Sequence, residues 1–303
     1  MQLLLVGWIT TKLRRNEQRL RDVLQCLHKF GLRTVTPQRQ LVALSSPYHT
    51  LTEREARELF RFSIPELQML RSLLELPFTV VAEEGDRVCG DEALAIVCRR
   101  LVEPARWSTI EREFRRSMPS LSRIFWATVK DLFKLHRNRL YMHRRLLEEN
   151  VHVYAHAIAN AAVATPDGLC IAMFGPIEGR RHDTIVLQES RLLHVLRRSQ
   201  YLAPYSLCAD KGNSSQPNLI APYKAPPKGK LLPAYEESNQ RMSKLRQSVE
   251  WVFHIIKQNW SLLNRQLKMQ AQMCKVGDLF AVAVLLTNCL TCIRGGNQSA
   301  KYS

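Results

Sequence analysis

At 303 residues with 46% hydrophobic side chains, the chain has room for one large or two ordinary domains and is too apolar to be disordered by default. Lysine and arginine number 44 against 27 acidic residues, and the resulting +17 favours a polyanionic partner, because phosphate neutralisation drives non-specific nucleic-acid binding. The apolar opening MQLLLVGWIT is too short for a membrane span, and its basic residues follow it rather than precede it. We therefore expect a nuclear or cytoplasmic protein with no membrane partner.

The eight cysteines (Cys26, Cys89, Cys98, Cys170, Cys208, Cys274, Cys289 and Cys292) are scattered among apolar neighbours. That spacing predicts reduced, buried thiols rather than a disulfide framework. Cys289 and Cys292 have metal spacing, but no second pair lies near them and VAVLLTNCLTC reads as a buried helix.

In chain order, residues 1 to about 35 carry Leu20, Val23, Leu24 and Leu27 on one helical face, and 34–50 has linker composition. Thr52 opens a helix with early acids, and Ser63 to Glu66 is a capping-box pattern for the next. Asp86 to Gly90 reads as a turn, followed by a helix from Asp91 that Pro104 ends. Ser108 to Glu111 is a second capping-box pattern, opening a short helix, TIEREFRR. After the turn SMPS, Ser120 is expected to cap a long helix through Tyr141. Its apolar positions Leu121, Ile124, Phe125, Thr128, Val129 and Leu132 share one face. A short helix, a tight turn and a longer helix form a helix-turn-helix pattern, with Arg112, Arg115, Arg116, Arg123 and Lys130 left for the other face. A plain helical bundle with solvated arginines has the same pattern.

Leu147, Val151, Tyr154 and Ile158 continue a helix into AHAIANAA, and at Val163 the periodicity changes to short apolar runs. Pro166-Asp167-Gly168 is a hairpin turn before the strand-like LCIAMF. Arg180-Arg181-His182-Asp183 leads into a helix, where Asp183 suits an N-cap as well as an auxiliary metal ligand. Arg180, Arg181 and His182 are candidates for substrate phosphate. Arg191 to Ser199 reads as a basic helix and Asn213 to Glu237 as a surface loop. Helices are expected over Ser243–Leu263, with Val249, Phe253, Ile256 and Trp260 inward, and over Asp278–Ile293, ended by Gly295-Gly296.

Asp210 follows the strand-like SLCA, and Glu250 sits in SVEWVFHIIK. Two-metal phosphodiester chemistry needs such isolated carboxylates, because oxygen ligands hold Mg²⁺ with few side chains. Alone, Asp210 is a turn residue and Glu250 a solvated helix position; their order together with the motifs makes a site.

That order, with PDG, GPIEGRRHD, the Asp after a strand, APY at Ala221 to Tyr223, and RQSVEWVF, resembles the Harbinger/PIF-type DDE transposases, an RNase H-like nuclease family. EALAIVCRRL, Pro104 to Trp107 and EFRRSMPSLSRIF resemble that family's DNA-binding module. The resemblance implies a Mg²⁺- or Mn²⁺-dependent DNA endonuclease with Asp210, Glu250 and Asp183 at the metal, DNA as substrate and a Myb-like accessory protein. It implies an α+β chain: a helical leader and linker over 1–50 and a helical, helix-turn-helix-like DNA-binding region over 51–160. A truncated RNase H-like α/β catalytic domain over 161–294 and a tail over 295–303 follow. The family's first strand, with its Phe-hydrophobe-Asp-Gly-Thr motif, is missing. Between Val151 and Pro166 there is no Asp or Glu at all. Catalysis is therefore expected to be impaired. A non-catalytic DNA-binding protein and a basic helical scaffold for acidic proteins remain open as alternatives.

Overall fold

The computed structural model describes residues 50–141, 168–170, 183–201, 203, 206–208, 217–226, 229–264 and 276–296. They are mostly helical, with two small two-stranded sheets. The packing separates two compact units. Described residues 50–137 group with 255–264 and 276–293; the described residues between 138 and 254, with 294–296, form the other.

The first unit opens with helices α1 (Glu53–Phe60) and α2 (Ile64–Leu73), both started by reciprocal capping boxes. Thr52 N–H donates to Glu55 Oε2 at 2.9 Å, and Ser63 N–H donates to Glu66 Oε2 at 2.7 Å. Each box satisfies amide groups that a helix start leaves without partners.

The expected helical run then departs from the sequence reading. Thr79–Val81 (β1) pairs antiparallel with Arg87–Cys89 (β2), so 79–89 is a hairpin. Only Ala82 to Asp86 form its loop, with Glu84 and Gly85 at positive φ. The turn expected at Asp86 to Gly90 is mostly strand β2. Three-residue strands are too short to show an alternating pattern, which hid them.

Helix α3 (Gly90–Val102) follows directly, and nearly all of its residues are buried. It packs on α1, α2 and helix α4 (Trp107–Phe114). Its buried Arg99 is held by Glu113 at 2.7 and 2.8 Å and by Glu103 at 2.9 Å. Burial works against that charge, but the two carboxylates outweigh it and raise its pKa.

The short helix, turn and long helix occur as expected, with different ends. The N-cap of α4 is Arg106, which makes no side-chain cap bond, so the box expected at Ser108 to Glu111 is not formed. Arg115, at φ 53°, makes the turn. Helix α5 (Met118–Tyr141) starts two residues before Ser120, whose hydroxyl is spent on Asp86 instead. Leu121, Ile124, Phe125, Thr128, Val129 and Leu132 are all buried. Farther along α5, buried His136 Nε2 donates to the Leu74 carbonyl at 3.0 Å.

The C-terminal segments complete this core. Phe62 and Trp260, both fully buried, have ring centroids 6.5 Å apart, and Arg61 Nε donates to Asn259 O at 3.4 Å. Helix α9 (Val276–Arg294) includes an 18-residue window of mean hydropathy 1.5, long and apolar enough to cross a membrane, half of it buried. Its side chains explain that apolarity as core packing: Leu279, Val282, Val284, Leu286 and Leu290 are buried, and Trp260 Nε1 donates to Thr287 Oγ1 at 2.9 Å. Burial also raises the Cys98 and Cys289 thiol pKa values, which keeps them protonated.

In the other unit, α6 (Asp183–Glu189) and α7 (Leu192–Arg198) are joined through Arg191 at φ 53°. Leu207–Cys208 (β3) pairs in parallel with Leu219–Ile220 (β4). Helix α8 runs Pro233–Asn259, starting ten residues before the expected Ser243 and shortening the expected loop. A 3₁₀ turn at Ser261–Asn264 replaces its expected last residues. Met242 and Val252 are its buried positions in this unit, and Ile255 and Ile256 are buried in its last turn, which groups with the first unit; Phe253 is half-buried. Gly168 takes φ +83°, the conformation the hairpin-turn reading requires of it.

Candidate nucleic-acid interface and acidic positions

The four arginines expected to face DNA, Arg112, Arg115, Arg116 and Arg123, divide into two kinds. Arg112 and Arg115 are exposed and make no ion pair among the described residues. Arg116 and Arg123 are engaged within the fold. Arg116 Nε lies 2.6 Å from Glu92 Oε1, and its second terminal nitrogen lies 3.3 Å from Oε2. Glu92 is buried at the start of α3, so this pair ties the turn before α5 to the central helix. Arg123 donates from Nε to Asp86 Oδ2 at 2.6 Å and pairs with Glu84 at 2.9 Å.

Asp86 also accepts from Ser120 Oγ at 2.9 Å. Arg123 first, then Ser120, hold the Asp86 carboxyl below its ordinary value of 3.8. The acidic hairpin loop thus clamps the first turns of α5. Sequence reasoning missed Glu84, Asp86 and Glu92, because these partners lie 24 to 39 residues away and meet the arginines only through the hairpin and α3.

Lys130, expected on the outer face of α5, is joined there by Lys134 and Arg137 at four and three residues; all three are exposed and make no ion pair among the described residues. With Arg123 they form one side of the helix, the periodicity that puts side chains one above the other.

The acidic positions are less fully placed. Asp183 is the first residue of α6, as expected of a helix-opening acid. Glu250 lies on α8 seventeen residues after its start, not near it, which corrects the expected position. Asp210, Arg180, Arg181 and His182 fall outside the described residues. Among the described residues, no group of three or more His, Cys, Asp or Glu could hold a metal ion.

Residues 147–288 match the DDE superfamily endonuclease family. The match covers just under half of the chain and includes Asp183, Asp210 and Glu250. No curated protein and no solved structure matches the chain. The DDE-like segment begins beyond α5 and ends within α9, so it takes in a core helix of the first unit as well as the second unit.

Proposed function

We propose that this chain is a DNA-binding protein descended from a Harbinger/PIF-type DDE transposase, with little or no strand-cutting activity. The match of residues 147–288 to the DDE superfamily endonucleases carries the reading. The +17 charge supports DNA as the partner. The α4–turn–α5 segment acts as a helix-turn-helix module in the 51–160 region, with Arg112 and Arg115 on phosphate. The 161–294 region is a truncated RNase H-like domain. The protein acts in the nucleus or cytoplasm, and a Myb-like accessory partner is carried over from the resemblance alone.

Impairment follows from chemistry. Two-metal hydrolysis stabilises the attacking and leaving oxygens together, and a carboxylate bridging both ions is central to that. The chain offers Asp210, Glu250 and Asp183 for Mg²⁺ or Mn²⁺ but has no acid from Val151 to Pro166, where the family's first strand would supply the bridge. Purified protein incubated with supercoiled and terminal-repeat DNA in either metal should leave both uncut. Robust nicking abolished by Asp210→Ala and by Glu250→Ala would overturn the impairment and leave the descent intact.

A further inference from the structure

The APY motif at Ala221 to Tyr223 leads to an aromatic pair that neither the acidic positions nor the arginine surface uses. Tyr223 and Tyr235 stack with centroids 4.2 Å apart and planes at 19°. Both remain exposed, at 45% and 41%. The arrangement is built by α8. Asn239, one turn beyond Tyr235, accepts from Tyr223 N–H at 2.9 Å and donates to Tyr223 O at 3.0 Å. That two-way bond fixes the backbone just after β4, while Ala221 anchors the segment by burial. Each ring covers one face of its mate, and the pair as a whole stays open to solvent.

Large aromatic rings seldom gain from standing in water as a pair, and such surfaces mark binding sites more often than scattered apolar residues do. Along the chain, the charge flanking this pair is mainly positive. Lys224 and Lys230 are exposed and make no ion pair among the described residues. Of the nearby acids, Glu237 is taken by Arg241 at 2.6 Å, which leaves Glu236. Stacked aromatics beside unpaired lysines match what unpaired nucleotides need: a π-face for the base and cations for the phosphates.

We propose that the Tyr223–Tyr235 pair is a stacking platform for an unpaired nucleobase of single-stranded DNA, with Lys224 and Lys230 on the flanking phosphates. The proposal rests on the nucleic-acid reading above and deepens it by naming a strand state. It requires no cleavage.

The full chain is titrated against a fluorescent oligothymidylate and an abasic oligomer of equal length, which carries the same phosphates without bases. Wild type should prefer the oligothymidylate by about tenfold, the effect of stacking one base. Tyr223→Leu with Tyr235→Leu should erase the preference, and Tyr223→Phe with Tyr235→Phe retain it. Tyr235 lies in the exposed first turn of α8, so a thermal melt of each variant suffices to confirm folding. Equal affinity of wild type for the two oligomers, or a preference that survives Tyr223→Leu with Tyr235→Leu, overturns the platform. Duplex binding measured alongside separates the two readings: if it persists while base discrimination fails, the platform is wrong and the wider DNA reading stands.

Discussion

Arg123 Nε sits 2.6 Å from Asp86 Oδ2, joining the first turns of α5 to the loop of a hairpin 37 residues earlier. The bond gives an arginine expected to face DNA a structural partner, and it makes stability depend on pH. The folded-state pKa of Asp86 lies below its ordinary 3.8, so its contribution is complete above 3.8 and is lost as pH falls through the folded value. Asp86→Asn should therefore lower the melting temperature by a roughly constant amount near neutrality. The gap to wild type should close under acid conditions below 3.8. Thermal melts across pH check this, and a gap that widens on acidification would contradict it.

The two kinds of arginine should separate in a DNA titration. Arg112→Ala with Arg115→Ala removes two exposed, unpaired cations, and the slope of log affinity against log salt should fall by about two. The melting temperature should hardly move. An unchanged slope in this double variant would place duplex binding on another surface, with the Lys130, Lys134 and Arg137 side of α5 next to be tested.

Arg116 should behave in the opposite way. Its loss leaves Glu92, whose side chain is 4% exposed, as a buried carboxylate without its countercharge. Arg116→Ala should cost about 3 kcal/mol in denaturant unfolding, the scale for breaking one side of a buried pair. Adding Glu92→Ala should recover part of that loss. A double variant less stable than Arg116→Ala would show that Glu92 stabilises the core by other contacts.

Gly90 lies where β2 turns into α3. A Cβ there would stand 2.3 Å from the Pro77 carbonyl oxygen and 2.9 Å from Arg71 Cδ. The arginine can swing away, but the backbone oxygen cannot do so without moving the chain that bonds Gly90 N–H to Phe78 O at 2.8 Å. Gly90→Ala should destabilise by about 2 kcal/mol, within the usual range for overpacking. Urea unfolding measures it; a neutral result would mean that the 77–78 segment shifts freely.

Local chemistry wrote much of this protein legibly. Thr52 with Glu55 and Ser63 with Glu66 announce two helix starts, because a capping box needs only residues three apart. The buried face of α5 follows from its 3.6-residue spacing, and the apolar composition of α9 marks it as a core helix. Motifs after residue 147 pointed to the DDE superfamily endonucleases, which the family match supports. Only the tertiary structure decided which charges are spent. Glu84, Asp86 and Glu92 claim Arg123 and Arg116 through the hairpin and α3, and Ser120 serves Asp86 instead of capping α5. It also decided that Phe62 meets Trp260 and that Arg61 reaches Asn259, placing the C-terminal helix with the N-terminal ones. Such pairings join residues tens to hundreds of positions apart, and short-range periodicity holds no record of them.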